Sequence, residues 1–203
     1  MKTIGIFIFN DAEELDFVGP YEVFTMINLI LQYQKKPDAV KVILISEDGK
    51  DITGNKGMRV GAHAAMSDIE KLDIICIPGG AGARAQIKNT AVLNWVKKIA
   101  ATSEWVTSVC TGSFILAKAG LTKGKKLSTY WSAFDEFKEL GLEGELLPHV
   151  RYVRDGNLVT SAGVSAGIDM ALWLTGQMFT PTFARVVQRG MQYDPAPPYQ
   201  AEV

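Results

Sequence analysis

Cys110 closes the run Trp105-Val106-Thr107-Ser108-Val109 and opens onto Thr111-Gly112-Ser113, after which Phe114-Ile115-Leu116-Ala117-Lys118-Ala119-Gly120 follows a helical pattern. A β-branched strand, an abrupt turn and a helix form the layout of a nucleophile elbow. Such an elbow lifts its central side chain off the sheet. It also sets that side chain at the first turn of a helix, where free N–H groups and the macrodipole favour a thiolate. The same residues fit a cysteine that ends a core strand, since cysteine is among the most buried residue types. The local sequence leaves both readings of Cys110 open, an exposed activated thiol and a packed one.

Asp16, in Leu15-Asp16-Phe17-Val18-Gly19-Pro20, follows the first apolar segment through a short loop and stands where a helix starts. One reading makes it an N-cap, a position aspartate favours. The other brings its carboxyl beside Cys110, at the strand ends both residues share; the two are compatible. A carboxylate beside a thiolate is a like-charge pair, which raises one of the two pKa values. Either Asp16 is protonated while Cys110 is ionised, or the two share one proton. A neutral Asp16 can give a proton to a substrate and later take one from water.

Ile77-Pro78-Gly79-Gly80-Ala81-Gly82 follows another apolar run. Glycines there let the backbone come close to a ligand and present N–H donors, and with the N–H of Thr111 they can form an oxyanion hole. A tight strand-to-helix turn explains the glycines alone equally simply. No Gly-Lys-Ser/Thr follows, which argues against a phosphate loop. The two histidines, His63 and His149, are both distant from Cys110 in sequence. Neither makes a Cys–His dyad the favoured reading, and Ser108, Ser113 and Ser128 lack an arguable histidine partner for serine hydrolase chemistry.

The elements that must position these groups alternate. Thr3–Phe9, Val40–Ser46 and Asp73–Ile77 read as buried strands, as does the elbow strand. Phe17–Tyr33, Thr90–Ala101, the elbow helix, Ser165–Phe179 and Pro181–Gln192 read as helices. Asp48–Ser67 is rich in turn signals and reads as short β arms. His149–Val153 and Asn157–Ser161 flank Arg154-Asp155-Gly156 as a hairpin. Apolar runs without alternation mean strands covered on both faces, and strand–helix alternation means a largely parallel sheet. The expected fold is α/β, a three-layer flavodoxin-like sandwich in which ligands bind beyond the carboxyl ends of the strands.

Composition bounds the rest. The 203 residues are 47% hydrophobic and 21% charged, enough for one domain with a full core. With a net charge of −1 and no basic stripe, nucleic acid is not an expected partner. The two cysteines, Cys76 and Cys110, exclude a disulfide scaffold and suit a reducing cytoplasm; Cys76 reads as a core strand residue. A structural zinc site is not expected. No apolar run reaches membrane-spanning length, and the N-terminal segment reads as a first strand rather than a signal peptide. The tail Asp194-Pro195-Ala196-Pro197-Pro198-Tyr199 reads as an extended segment suited to packing on a neighbour.

Three motifs in this order and spacing, Leu15-Asp16-Phe17-Val18-Gly19-Pro20, Ile77-Pro78-Gly79-Gly80 and Ser108-Val109-Cys110-Thr111-Gly112, resemble the ThiJ/PfpI superfamily. The resemblance spans residues 1–203 as a single domain and is nearest the isocyanide hydratase branch. Val153-Arg154-Asp155-Gly156-Asn157-Leu158-Val159-Thr160, Gly163-Val164-Ser165-Ala166-Gly167-Ile168-Asp169 and the tail extend it. It implies a flavodoxin-like, class I glutamine amidotransferase-like fold and a homodimer. Cys110 falls on the family nucleophile and Asp16 on its acidic partner; Gly80 and Thr111, with Gly79 beside them, fall where backbone donors line the site. Two departures count. Thr111, not histidine, follows the cysteine, which weakens a protease reading. In Ser128-Thr129-Tyr130-Trp131, Tyr130 stands where hydratases and related regulators commonly carry histidine.

The leading expectation is cysteine-dependent hydration of a small electrophile, an isocyanide, to an N-formamide, with Cys110 as nucleophile and Asp16 as proton shuttle, and with no metal or other cofactor. An oxidative or electrophile sensor using Cys110 is the alternative. A third reading is a ligand-binding module related to AraC-type regulators without their DNA-binding region, for which the chain length leaves no room. Tyr130, Trp131 and Val164 are candidates for the pocket wall, and equally for ordinary core packing.

Overall fold

The computed structural model describes residues 1–194, so the Pro-rich tail lies outside the described residues. In chain order the elements are β1 (Lys2–Phe7), α1 (Glu14–Tyr33), β2 (Val40–Ser46), β3 (Ile52–Thr53), β4 (Arg59–Val60), β5 (Ala64–Ala65), β6 (Ile74–Ile77), α2 (Ala83–Gln86) and α3 (Thr90–Ala100). There follow β7 (Trp105–Val109), α4 (Gly112–Lys118), β8 (Lys126–Leu127), α5 (Phe134–Glu139), β9 (Glu145–Leu146), β10 (Tyr152–Asp155), β11 (Leu158–Ser161), α6 (Ala166–Met178) and α7 (Pro181–Gly190).

Seven strands form the main sheet in the order β10-β11-β7-β6-β1-β2-β5. Every neighbouring pair is parallel except β10 with β11 at the edge. Helices α1, α6 and α7 pack together on one face, and α2, α3 and α4 on the other. This is the expected three-layer α/β, flavodoxin-like sandwich. The central strands β1 and β6 are apolar because both their faces are covered. Val23, Phe24, Ile27 and Leu31 of α1 pack with Ala171 and Leu174 of α6 and Val187 of α7 in one apolar cluster. Val92, Val96 and Ile99 of α3 and Phe114, Ile115 and Leu116 of α4 belong to the cluster across the sheet. Helix α3 starts as its sequence suggests, with the Asn89 side chain accepting from the N–H groups of Ala91 and Val92.

Two boundaries depart from the sequence reading in ways that bear on function. Helix α1 starts at Glu14, with Glu13 at the N-cap and no side-chain cap, so Asp16 sits in the first turn and does not cap the helix. Its carboxyl bonds to groups from outside the helix instead. The β10–β11 hairpin pairs Asp155 with Leu158, so its turn is Gly156-Asn157, while Arg154 and Asp155 belong to the strand. Asn-Gly signals mark such turns, and here the order is reversed. The sequence reading also passed over α2 and α5, which are four and six residues long and too short to show a period.

Among the described residues no helix is long and apolar enough to cross a membrane.

Candidate active site

Strands β1, β6 and β7 are neighbours in the parallel sheet, so the loops after them converge at one edge. That convergence brings Asp16, the Gly79-Gly80 turn and Cys110 together across long sequence distances. A cavity of about 540 Å³ opens there. Gly80, Cys110, Thr111, Tyr130 and Val164 line it, together with Glu13, Asn55, Ala81, Arg84, Ser132, Ala133 and Glu136.

Cys110 occupies the turn between β7 and α4 with φ +56°, a left-handed backbone uncommon for a non-glycine residue. Its N–H donates to the carbonyls of Ser161 and Ala162 at 3.2 and 3.1 Å. Its own carbonyl accepts from the hydroxyls of Ser113 and Thr129 at 3.0 and 3.1 Å. The strained turn is thereby held from both sides. Thr111 caps α4 without a side-chain cap bond. The bonds that hold the elbow also sink it: Cys110 is only 6% exposed. Of the two sequence readings, the exposed ionised thiol is therefore not the resting state. Burial, and next the Asp16 charge, push the thiol up to about 12, while the N–H and hydroxyl of Thr111 pull it down. A helix start alone does not make a thiolate when the sulfur is out of water.

Asp16 is fully buried. Its Oδ2 accepts from the Gly79 N–H at 2.9 Å, and its Oδ1 from the Val164 N–H at 3.2 Å. Burial raises its pKa to about 7. The Gly79 bond opposes this, the Glu13 charge adds to it, and the Val164 bond and the Cys110 side chain lower it less. Both pKa values are raised chiefly by burial, the like charge of Asp16 adding to the rise only at Cys110; at neutral pH the thiol keeps its proton and the carboxyl is poised near half-protonation.

The glycine donors are also differently used. The Gly79 N–H is taken by Asp16, and Gly79 does not line the cavity. The Gly80 N–H donates to Thr111 Oγ1 at 3.1 Å. Gly80 has φ +112°, and a Cβ there would lie 2.3 Å from the Glu13 nitrogen, so only glycine fits. The Thr111 N–H favours the ionised form of the cysteine sulfur.

Several residues fall elsewhere. His63 Nδ1 accepts the Leu44 N–H at 3.0 Å, and neither histidine lines the cavity. Cys76 is wholly buried in β6. Trp131 is 75% exposed, so it is neither core nor wall. Tyr130 does form wall, packed over Gly163. Among the described residues no three His, Cys, Asp or Glu side chains gather to hold a metal ion.

Sequence reasoning missed the charged part of the wall. Arg84 of α2 bonds Glu136 of α5 through two nitrogens, Nε at 2.8 Å and Nη2. Lys56, on the loop between β3 and β4, pairs with Glu13 and, at 3.7 Å, with Glu14. Arg84 follows the glycine turn directly and was the one of these within reach of motif reading.

The fold agrees with comparisons to known proteins. The DJ-1/PfpI family profile matches residues 2–177. The isonitrile hydratase of Pseudomonas putida is 37% identical over 198 residues, 98% of this chain and 81% of that protein. The transcriptional regulator CdhR of Pseudomonas aeruginosa is 30% identical over 145 residues, but the match spans only 41% of its length. A ThiJ/PfpI family protein from Pseudomonas syringae superposes with a TM-score of 0.86 at 28% identity, covering 100% of this chain and 79% of that one. On the fold and these matches, the chain belongs to the DJ-1/PfpI family.

Proposed function

We propose that the protein hydrates an isocyanide to an N-formamide, with Cys110 as nucleophile and Asp16 as the proton shuttle. The observation that carries the reading is a cysteine on the cavity wall with a fully buried aspartate beside it and no histidine lining the cavity. The relatedness over nearly the whole chain to an isonitrile hydratase supports it.

An isocyanide carbon accepts a nucleophile and a proton at the same atom. The pair holds one proton that the two groups exchange. When it moves from sulfur to Asp16, a thiolate and a neutral carboxyl result, both desolvated. Cys110 Sγ then bonds the terminal carbon, and the proton from Asp16 goes to that carbon, giving an S-linked thioimidate. Asp16, again a carboxylate, takes a proton from water as the water oxygen adds to the carbon and passes it to the imine nitrogen. Collapse of the tetrahedral adduct breaks the C–S bond and releases the formamide, and the departing sulfur takes the proton of the adduct's hydroxyl. The sum is isocyanide plus water giving formamide, with the pair unchanged. The Gly79 and Val164 N–H groups hold the Asp16 carboxyl in place through the cycle.

The burial of Cys110 and its raised thiol weigh against the sensor reading, because oxidation follows thiolate character and exposure. Incubation with a bulky alkyl isocyanide, following formamide with Cys110→Ala in parallel, tests the proposal. Cysteine-dependent turnover supports it. Equal turnover in the variant sinks it.

A further inference from the structure

Glu13 stands on the cavity wall at the start of α1, and its local duties do not call for a carboxyl. It occupies the N-cap of α1 but makes no side-chain cap bond. Its backbone N–H donates to the Gly79 carbonyl at 2.9 Å, which fixes it against the turn beside the elbow, and other side chains would keep that bond. The loop between β3 and β4 is anchored without it: the Asn55 N–H donates to the Ala12 carbonyl at 2.8 Å, and the Lys56 N–H to Glu14 Oε1 at 2.6 Å. After burial and the Asp16 charge, the Glu13 charge adds to the rise of the Cys110 thiol, so it works against the attacking sulfur. Two carboxylates and one guanidinium line the cavity, Glu13, Glu136 and Arg84. Arg84 engages Glu136 through two nitrogens. Glu13 meets Lys56, which bonds Oε1 from a side chain 65% exposed and not part of the wall. The Glu13 side chain is 13% exposed, and among the described residues nothing donates to its Oε2. A carboxylate accepts at both oxygens, so Oε2 is left for whatever fills the cavity. A plain alkyl group there would strip its water and return no donor.

We propose that Glu13 determines specificity: its free carboxylate oxygen receives a protonated amine on the substrate tail, so the preferred substrates are amine-bearing isocyanides rather than plain alkyl ones. The inference rests on the hydratase reading for the reacting end of the substrate, and adds what the other end carries. Lys56 competes for the same carboxylate from the solvent side and tempers its pull on the amine.

Two isocyanides of one shape test this: dimethylaminopropyl isocyanide, cationic at neutral pH, and isohexyl isocyanide, in which a CH group replaces the charged nitrogen. The readout is the ratio of their kcat/KM values, in which any effect common to both cancels. The wild type is expected to favour the cation on the order of tenfold, the equivalent of one hydrogen bond between charged groups. Glu13→Gln should bring the ratio near one, and Lys56→Met should raise it above wild type. Both changes break the same ion pair, so a merely structural clip would move the ratio the same way in both; that result overturns the proposal, as does a wild-type ratio near one or an unchanged ratio in Glu13→Gln. Should Glu13→Gln lose its cooperative melt, Lys56→Met decides: a raised ratio supports the proposal, and an unchanged or lowered one overturns it. Dissociation constants of the two probes for Cys110→Ala, with and without Glu13→Gln, give the ratio without turnover. A Glu13-dependent preference in binding with no hydration of either probe would refute the hydratase reading and keep the amine site. Cysteine-dependent hydration of both probes at equal rates would do the reverse, and probes neither bound nor turned over would overturn both.

Discussion

Val164 donates its backbone N–H to Asp16 Oδ1 at 3.2 Å from a left-handed backbone, φ +55°. A β-branched residue is a true outlier in that region. The conformation is over-determined by its neighbours: Gly163 beneath Tyr130, and α6 starting directly after Ser165. Cys110 has nearly the same φ, +56°, across the site. Two strained residues thus meet one buried carboxyl, one through its N–H and the other through its side chain.

Val164→Gly is expected to separate strain from function. Relief of left-handed strain, about 1–3 kcal/mol, offsets the entropy and packing that glycine loses. The melting temperature should therefore move by no more than a few degrees. Turnover should fall, because a freer backbone holds Asp16 less firmly. A large loss of stability would show that Val164 matters as packing and not as a strained donor.

Turnover should depend on a single proton near neutrality. Asp16 has its pKa raised to about 7 and the Cys110 thiol to about 12. Between these values the pair holds one proton, the state from which attack starts. Below about 7 both are protonated and no base is present to take the thiol proton. Hence kcat/KM should rise with pH through about 7 and level off above it. Asp16→Asn should lose this limb together with roughly 10²–10⁴-fold of the rate. A limb that persists in Asp16→Asn belongs to another group.

The same carboxyl should leave a mark on stability. Its folded pKa is about 7 against an ordinary aspartate value of 3.8, so the folded state binds the proton more tightly. The stabilising contribution is complete below the unfolded value and disappears as pH rises through the folded one. At about 1.4 kcal/mol per unit, the wild type should lose on the order of 4 kcal/mol relative to Asp16→Asn between acid pH and mild alkali. Denaturant unfolding of both proteins across this range measures the slope, which is independent of any constant penalty from the amide. Parallel stability curves would place the Asp16 pKa near its ordinary value.

What was legible in the sequence follows from the range over which each signal acts. The strand–turn–helix around Cys110 and the loop carrying Asp16 are local, and each appears in a dozen residues. The parallel order was legible because buried strands and helices alternate. The state of Cys110 was not legible, since its burial depends on Ser161, Ala162 and Thr129, which reach it from other segments. The destination of the Gly79 N–H was hidden for the same reason, as Asp16 lies 63 residues away. Arg84 and Glu136 looked like ordinary surface charges because they meet only when two short helices converge on the cavity. The position of Trp131 was misjudged because its aromatic type suggests burial, whereas the short helical turn from Trp131 to Ala133 directs it outward.

Gly79→Ala should be the most damaging of the small substitutions. A Cβ at residue 79 would lie 2.5 Å from the Thr111 nitrogen, 2.7 Å from its Oγ1 and 2.9 Å from the Cys110 Cβ. The first is backbone at the start of α4 and cannot swing aside. One methyl group would therefore force the β6 turn away from the elbow. Overpacking of this kind costs about 1–3 kcal/mol, and more where backbone must move. The same displacement would carry the Gly79 N–H away from Asp16 and leave a buried carboxylate short of one donor. Stability and turnover should thus fall together, and the pH limb near neutrality should shift upward, because the Gly79 bond is the largest influence lowering the Asp16 pKa. An alanine variant with wild-type melting and an unmoved limb would mean that the turn relaxes freely, and that Asp16 is held by Val164 alone.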